Sequence, residues 1–186
     1  MRRYIVPAAL AALAVLVAAS LVWAATIKIV VEGEDYYSIK PSMAKHASEV
    51  ASGKAYIHIP LRRPHAATET EPSDDGNARF RIRVPASGVY RLWARGHWYD
   101  SCGNSFFLIV DDKPATVIGE DGTYQKWHWV KGPRLQLSAG VHIIRIQNKE
   151  DGAKLDQFML TNNSRYVPVR AEKRTPQYII KPDDND

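Results

Sequence analysis

The sequence predicts an all-β domain in which two antiparallel sheets pack as a sandwich. The clearest strand is "ARFRIRVP" at 78–85, where Phe80, Ile82 and Val84 alternate with three arginines. A repeat of two residues with charges on one face is typical of a half-buried antiparallel strand. Similar short runs follow with Gly, Asp or Pro between almost every pair, and helical periodicity is nearly absent. This spacing favours a sandwich or a barrel, and we predict the sandwich.

The first part of the chain contributes two predicted strands, "TIKIVVEGED" (26–35) and "KAYIHIP" (54–60). Between them, "PSMAKHASEV" (41–50) is expected to hold one helical turn. The stretch at 61–77 is polar and contains Pro, so we expect a long surface loop.

The later part supplies the other strands. In "GVYRLWARG" (88–96) the inward face is predicted to be Tyr90, Leu92 and Ala94, which leaves Trp93 on the outer face. The remaining predicted strands lie at 104–112, 114–119, 126–130, 134–138, 141–148 and 154–161. Together they define one β-domain at 25–168.

The two ends of the chain are set apart by composition. Residues 1–24 carry two arginines, an apolar run and then small residues, which is the layout of a secretory signal peptide cleaved after Ala24. Because the apolar run is long, an uncleaved membrane anchor is the alternative. Residues 169–186 are charged and non-periodic, so we expect a flexible C-terminal tail.

Charge and cysteine content exclude some classes of protein. Residues 1–24 hold two arginines and no acid, so the rest of the chain has 23 basic and 20 acidic residues. Lys and Arg are scattered among Asp and Glu, whereas nucleic-acid binding needs clustered basic charge, so no nucleic-acid partner is expected. The single cysteine, Cys102, excludes an internal disulfide. An exported domain must then be stabilised by its core, or by a metal ion.

Two glutamates of the first strand are candidate metal ligands. Glu32 and Glu34 point to the same face of a strand, and two carboxylates this close repel each other unless a cation lies between them. Either both are solvated at the strand end, or they bind a hard cation such as Ca²⁺, which prefers oxygen ligands. Asp156, which begins a buried row in the last strand, is the candidate third ligand.

Four sequence pieces in order resemble carbohydrate-binding modules of families 6 and 35. They are "VEGEDY" (31–36), "GTYQKW" (122–127), "LSAGVHIIRI" (137–146) and "KLDQFMLT" (154–161). The resemblance implies a galactose-binding-like β-sandwich, or jelly roll. It also implies a structural Ca²⁺ held by Glu32, Glu34 and Asp156, with backbone carbonyls near residues 52–54.

The same resemblance assigns roles to the aromatic residues. It implies that Tyr124 stacks on a sugar and that Trp127 packs inward, and the Asp121–Thr123 turn before Tyr124 agrees with a loop position. Ordinary loop packing is the alternative for Tyr124. Trp98 and Tyr99 are expected to form the opposite wall of a cleft, although Trp98 could equally cover the rim of the sandwich. Polar candidates in the neighbouring loops are Asp100, Asn104, Asn148, Glu150, Asp151 and Lys154.

The function predicted from these features is non-catalytic glycan or polysaccharide binding by an exported protein, periplasmic, at the cell surface or extracellular. A membrane partner is expected only if residues 1–24 stay uncleaved, and a partner enzyme or envelope protein is a further expectation. The alternative is a structural or protein-interaction domain of the cell envelope. A polysaccharide-degrading enzyme using Glu120 with Asp121, or Glu150 with Asp151, is a third hypothesis, although acids are common in such turns.

Overall fold

The computed structural model describes residues 25–61 and 70–181, and it shows two antiparallel sheets packed face to face. The strands in chain order are β1 (Lys28–Glu32), β2 (Ser38–Lys40), β3 (Ala44–Ala47), β4 (Ala55–His58), β5 (Asn77–Val84), β6 (Gly88–His97), β7 (Ser105–Val110), β8 (Thr116–Gly119), β9 (His128–Leu137), β10 (Gly140–Asn148), β11 (Lys154–Thr161) and β12 (Ile179–Ile180). Within these ranges the helices are two 3₁₀ turns, Ser52–Lys54 and Pro176–Tyr178. The predicted all-β sandwich is confirmed.

Each sheet has six strands. The first sheet has the order β3-β4-β11-β6-β9, and β1 also pairs with β11. The second sheet has the order β12-β5-β10-β7-β8, and β2 also pairs with β5. The first and last long strands of the domain, β1 and β11, are therefore direct neighbours, with Glu32 opposite Gln157.

The core lies between the sheets and follows the alternation of the strands. On β5, Phe80 and Ile82 are fully buried while the intervening arginines face outward. Phe80 meets Phe158 of the opposite sheet edge to face, with ring centroids 5.0 Å apart. Such a pair combines apolar burial with favourable quadrupole geometry. The two-residue repeat in the sequence therefore places the core residues of β5 correctly.

Three strands and one junction differ from the sequence prediction. The segment at 41–50 contains the extended strand β3 and no helical turn, and β2 and β12 were not predicted. These strands are at most four residues long, too short for a repeat of two to be visible. The predicted strands 126–130 and 134–138 form one strand, β9, whose register with β6 shifts between Arg91 and Trp93.

Residues 169–181 pack against the sandwich, which corrects the prediction of a flexible tail for this part of 169–186, while 182–186 lie outside the described residues. We call residues 169–181 the C-terminal strap. It runs along the free edge of β1, where Thr175 accepts the Val30 N–H at 2.8 Å and returns its own N–H to the Val30 carbonyl at 3.1 Å. It then joins the second sheet as β12, with Ile179 opposite Ile82. Pairing with an open strand edge orders a segment whose composition alone indicates disorder.

Ion pairs fix the same segment. Asp35, only 3% exposed, accepts two hydrogen bonds from Arg174 at 2.7 Å each and lies 3.2 Å from the Lys181 ammonium. Glu172 is bound by Lys28 at 2.9 Å. A buried carboxylate needs such partners, because an unpaired charge is costly to bury. The basic residues of the strap therefore serve as structural partners of the acidic first turn.

The part of the chain that the structure describes has no helix with the length and hydrophobicity needed to cross a membrane. The predicted signal peptide or anchor at 1–24 lies outside the described residues and stays a prediction.

Candidate functional site

Two loops at one end of the sandwich are hydrogen-bonded to each other. The β6–β7 loop occupies residues 98–104 and the β8–β9 loop occupies 120–127. The Gln125 N–H donates to the Trp98 carbonyl at 2.9 Å, and the Gln125 side-chain amide donates to the Tyr99 carbonyl. These bonds hold the two loops side by side, so we call them together the loop rim.

The loop rim presents two tyrosines to solvent. Tyr99 is 42% exposed and Tyr124 is 38% exposed. Asp100 is partly exposed, and its Oδ1 accepts the Cys102 N–H at 2.8 Å, which shapes the turn. Partly exposed aromatic rings together with hydroxyl and carboxylate groups can offer both a stacking surface and hydrogen-bond partners for a polar ring.

Trp98, expected either as a cleft wall or as a cover of the rim, is instead part of the core. It is fully buried, and its ring packs against Phe106 and His128 with centroids 5.9 Å apart in each case. It continues the inward row of β6, in the same alternation as Leu92 and Ala94. A side chain at Gly96 would collide with its indole. The prediction of Trp98 as a ligand contact is therefore wrong.

Four predicted polar contacts are buried, so they do not face an open cleft: Asn104, Asn148, Glu150 and Asp151. Glu150 Oε2 accepts the Asn104 N–H at 2.9 Å and the Ser105 hydroxyl at 2.8 Å. The Asn148 amide donates to Asp75 at 3.2 Å. Buried polar groups of this kind fix neighbouring loops to one another. Burial therefore contradicts their predicted role as ligand contacts, and Glu150 instead fixes the β6–β7 loop at Asn104.

Lys154 also lies elsewhere than predicted. It is the first residue of β11, and its ammonium sits over the ring of Tyr56 on the outer face of the first sheet, 5.7 Å from the centroid. Trp127, expected in the core, lies on this outer face too and is partly exposed, edge to face with Tyr56 at 5.5 Å. The alternation of β4 and β6 could have indicated these neighbours, since Ile57 and Ala94 face the core.

Trp93 is on the predicted outer face, but the face is not open there. Its side chain is 7% exposed and clusters with Val30 and Met159 under Tyr166 and Trp129. The indole N–H of Trp129 donates to the Arg170 carbonyl at 2.9 Å, so the C-terminal strap covers this part of the sheet. The Trp93 ring is therefore not open to a ligand.

The three predicted metal ligands lie in the same region, around the β1–β11 pair, and Glu32 interacts electrostatically with Glu34 and Asp156. The Gly33 N–H donates to the Asp156 carbonyl at 2.6 Å, which brings the two ends of the domain together. Glu32 Oε1 accepts hydrogen bonds from Ser52 at 3.1 Å and Gln157 at 2.9 Å. A side chain at Gly53 would collide with the Glu34 carboxylate, so the predicted residues 52–54 do border this group.

Each of these carboxyl groups has one oxygen with no hydrogen-bond partner. They are Glu32 Oε2, Glu34 Oε2 and Asp156 Oδ1, and all three are buried. Burial raises the pKa of Glu32 to about 7, and repulsion from Asp156 and Glu34 acts in the same direction. Burial also raises the pKa of Glu34 and that of Asp156, although the Arg95 guanidinium bound to Asp156 partly opposes the latter. Orphaned acceptors and raised pKa values are what an oxygen-binding cation would relieve.

Across residues 25–61 and 70–181, no group of three or more His, Cys, Asp or Glu side chains is arranged to hold a metal ion. Arg95 already neutralises one oxygen of Asp156. The chemistry of the donor set fits Ca²⁺, but the calcium site stays a prediction.

Solved structures with the same architecture include carbohydrate-binding modules. A family 35 carbohydrate-binding module from Clostridium thermocellum matches with a TM-score of 0.54, covering 72% of this chain and 97% of that module at 17% identity. The CBM6cm-2 module of Cellvibrio mixtus lichenase 5A, in complex with cellotriose, matches with a TM-score of 0.51 over 72% of this chain and 96% of the module, at 17% identity. The chain has the fold of family 6 and family 35 carbohydrate-binding modules. The resemblance predicted from four sequence pieces is thereby confirmed at the level of the fold.

This module fold also occurs inside larger enzymes. The Podospora anserina GH26-CBM35 β-(1,4)-mannanase matches with a TM-score of 0.58 and 16% identity. The match covers 76% of this chain but only 29% of the enzyme. In sequence, the chain is 24% identical over 117 residues to the uncharacterized protein P23 of Formosa agariphila, covering 48% of this chain and 26% of that protein. No protein-family model matches the sequence.

Proposed function

We propose that this domain binds a glycan at the loop rim, with Tyr124 and Tyr99 as stacking platforms. The observation that carries the proposal is the exposure of both rings on two hydrogen-bonded loops at one end of a carbohydrate-binding-module fold. A sugar ring presents a C–H face that packs on an aromatic plane. Asp100 is the polar candidate left at the rim, since the other predicted loop contacts are buried.

The proposed role is binding without catalysis. The acids considered for hydrolysis are held by structural partners: Glu120 and Glu150 both bind Lys149, at 3.0 and 3.1 Å, and Asp121 binds His128 at 2.7 Å. Glycoside hydrolysis requires two carboxyl groups free to face the scissile bond from opposite sides. Incubation with a polysaccharide panel should release no sugar, and release abolished by Glu120→Gln would contradict the proposal.

We further propose that Ca²⁺ stabilises the sandwich through Glu32, Glu34 and Asp156. Support comes from the three buried oxygens without partners and from the position of these residues across the β1–β11 pair. The ion would supply positive charge between the carboxylates, and the residues would in turn tie the first strand to the last.

The proposed setting is outside the cytoplasm, based on the signal-like residues 1–24. Mass spectrometry of the protein purified from its host should find a mature N-terminus at Ala25. An intact Met1 on membrane-bound protein would instead support the anchor.

Replacing Tyr124 by Ala should weaken glycan binding about tenfold, because it removes one stacking surface. The test is a glycan array followed by calorimetry on the best ligand, with cellotriose, β-1,3-galactotriose and mannan among the probes. Tyr124→Trp should retain or improve affinity. Since Tyr124 is 38% exposed, the melting temperature should not change.

The matched control is Val141→Ala, which truncates an exposed apolar side chain on the second sheet. It should leave affinity unchanged. Equal affinity of the wild type and Tyr124→Ala for every ligand would place the binding surface elsewhere.

A further inference from the structure

The outer face of the first sheet carries a group of aromatic and basic side chains that the loop rim does not use. We call it the outer-face patch, and it consists of His46 on β3, Tyr56 and His58 on β4, His97 on β6, Lys154 on β11, and Trp127 just before β9. It lies beside the region that the C-terminal strap covers. His46 is exposed, and His58, His97, Trp127 and Lys154 are partly exposed.

Strand register places three basic side chains in one row across the sheet. Lys154 is opposite His58 on one neighbouring strand and opposite His97 on the other. Residues directly opposite one another share a face, and neighbouring strands are about 4.8 Å apart. The N–H groups of these side chains therefore project from three adjacent strands onto one surface.

Aromatic rings form the floor of this row. Trp127 meets Tyr56 at 5.5 Å and His97 at 5.4 Å, edge to face in both cases. His46 packs on Tyr56 at 5.1 Å. A partly exposed indole among these rings offers an apolar surface next to the basic groups.

No acid balances the row within the described residues. Lys154, His58 and His97 form no ion pair there, and the nearby Arg95 is paired with Asp156. The buried Nδ1 of His97 has no hydrogen-bond partner. A buried N–H without an acceptor is costly, which favours the tautomer with the proton on Nε2 and makes Nε2 a donor. The row is thus rich in donors and poor in acceptors.

We propose that the outer-face patch binds a saccharide that carries a sulfate ester, with the sugar ring against Trp127 and the sulfate on the row of Lys154, His58 and His97. This rests on the proposed glycan binding and adds a second surface with its own ligand class. At neutral pH the row has one fixed charge, Lys154, and three donor side chains. A sulfate ester carries one negative charge and three terminal oxygens. A carboxylate offers only two oxygens, and a phosphate ester carries about two charges near pH 7, so both match the one charge and three donors of the row less well than a sulfate ester does.

Acidification should strengthen this binding. Burial lowers the pKa of His58, as do His46 and Lys154, and burial and Lys154 lower the pKa of His97. Protonation of either ring adds positive charge to the row, while a sulfate ester stays ionised. His46, Tyr56 and Arg95 with its partner Asp156 face the row from the packed strands. His128, which is paired with Asp121 and packs on Trp98, also lowers the pKa of His97.

The test is calorimetric titration of the full chain with a sulfated galactan, the same galactan after desulfation, and polygalacturonate, at low salt and at pH 5.5 and 7.5. The wild type should bind the sulfated galactan more tightly than both other polymers, and more tightly at pH 5.5. Lys154→Gln should weaken that binding about tenfold, because it removes a charge-assisted hydrogen bond. Lys113→Gln, which removes an exposed lysine from the turn after β7, should have no effect.

A second variant tests the pH dependence of binding, which a loss of folding stability would not reproduce. His58→Gln retains a donor but cannot become charged, so its affinity should no longer rise between pH 7.5 and 5.5 as much as that of the wild type. Unchanged affinity of Lys154→Gln, or equal binding of polygalacturonate, would overturn the assignment. Tyr124→Ala should lose binding of the neutral glycan at the loop rim and keep binding of the sulfated galactan at the outer-face patch. This result would show that the two surfaces are separate. Binding of the sulfated polymer by a protein that binds no neutral glycan would refute only the loop-rim proposal.

Discussion

Deleting residues 169–186 should destabilise the domain by about 4 kcal/mol or more. The deletion strips Asp35, which is 3% exposed, of both Arg174 and Lys181, and unpairing a buried charge costs about 3–5 kcal/mol. It also removes the Thr175–Val30 hydrogen bonds and uncovers the Trp93 cluster. Since domains of this size are stable by only about 5–15 kcal/mol, urea unfolding followed by circular dichroism should show a much lower midpoint.

The control for this deletion is a chain that ends at Lys181. It keeps every strap contact named above and should unfold at the same urea concentration as the full chain. If the chain ending at Pro168 also matches the full chain, then the strap contributes nothing and the segment behaves as the flexible tail that its composition indicates.

Glu32→Gln should stabilise the calcium-free protein at pH 8 by about 3 kcal/mol, because a tenfold change in proton affinity is worth about 1.4 kcal/mol. Burial raises the folded-state pKa of Glu32 to about 7 from an ordinary value of 4.5, so the folded state favours the protonated form. The resulting stability is fully present below pH 4.5 and is lost as the pH rises to about 7 and above. In a chelating buffer, the wild type should therefore lose more stability over this window than the variant, in which only Glu34 and Asp156 still have raised pKa values.

Added Ca²⁺ should reverse the order of the two proteins. The ion should raise the unfolding midpoint of the wild type and leave Glu32→Gln almost unchanged, because the amide is a weaker ligand without charge. Glu49→Gln, which alters an exposed glutamate, serves as control and should follow the wild type. The same calcium response in the wild type and Glu32→Gln would rule out Glu32 as a ligand.

Alternation in the sequence shows which residues of a strand share a face, but at 126–130 it does not show which face is inward. Trp127 and Trp129 share a face, as the alternation predicts, yet that face is the outer one because Val130 is the core residue of this strand. Trp98 shows the reverse case, since its place in the row of Leu92 and Ala94 already indicated burial. Alternation thus assigns partners on a strand, while tertiary packing decides their direction.

Contacts between distant parts of the chain explain the rest of the differences. Arg174 and Asp35 are 139 residues apart, and Thr175 and Val30 are 145 apart. A segment without hydrophobic periodicity gives no local signal of such pairing. The neighbourhood of Glu32, Glu34 and Asp156 could be predicted because the resemblance supplied a relation between the first and last strands that local patterns do not contain.

Glycan binding at the loop rim is the central claim, and amide chemical-shift mapping tests it most directly. The ¹⁵N-labelled full chain is titrated with the best neutral ligand from the glycan array in the presence of Ca²⁺. The largest shifts are expected within residues 98–104 and 120–127, with Tyr99 and Tyr124 among them. Shifts confined to other surfaces, or saturable binding that leaves both tyrosines unperturbed, would contradict it.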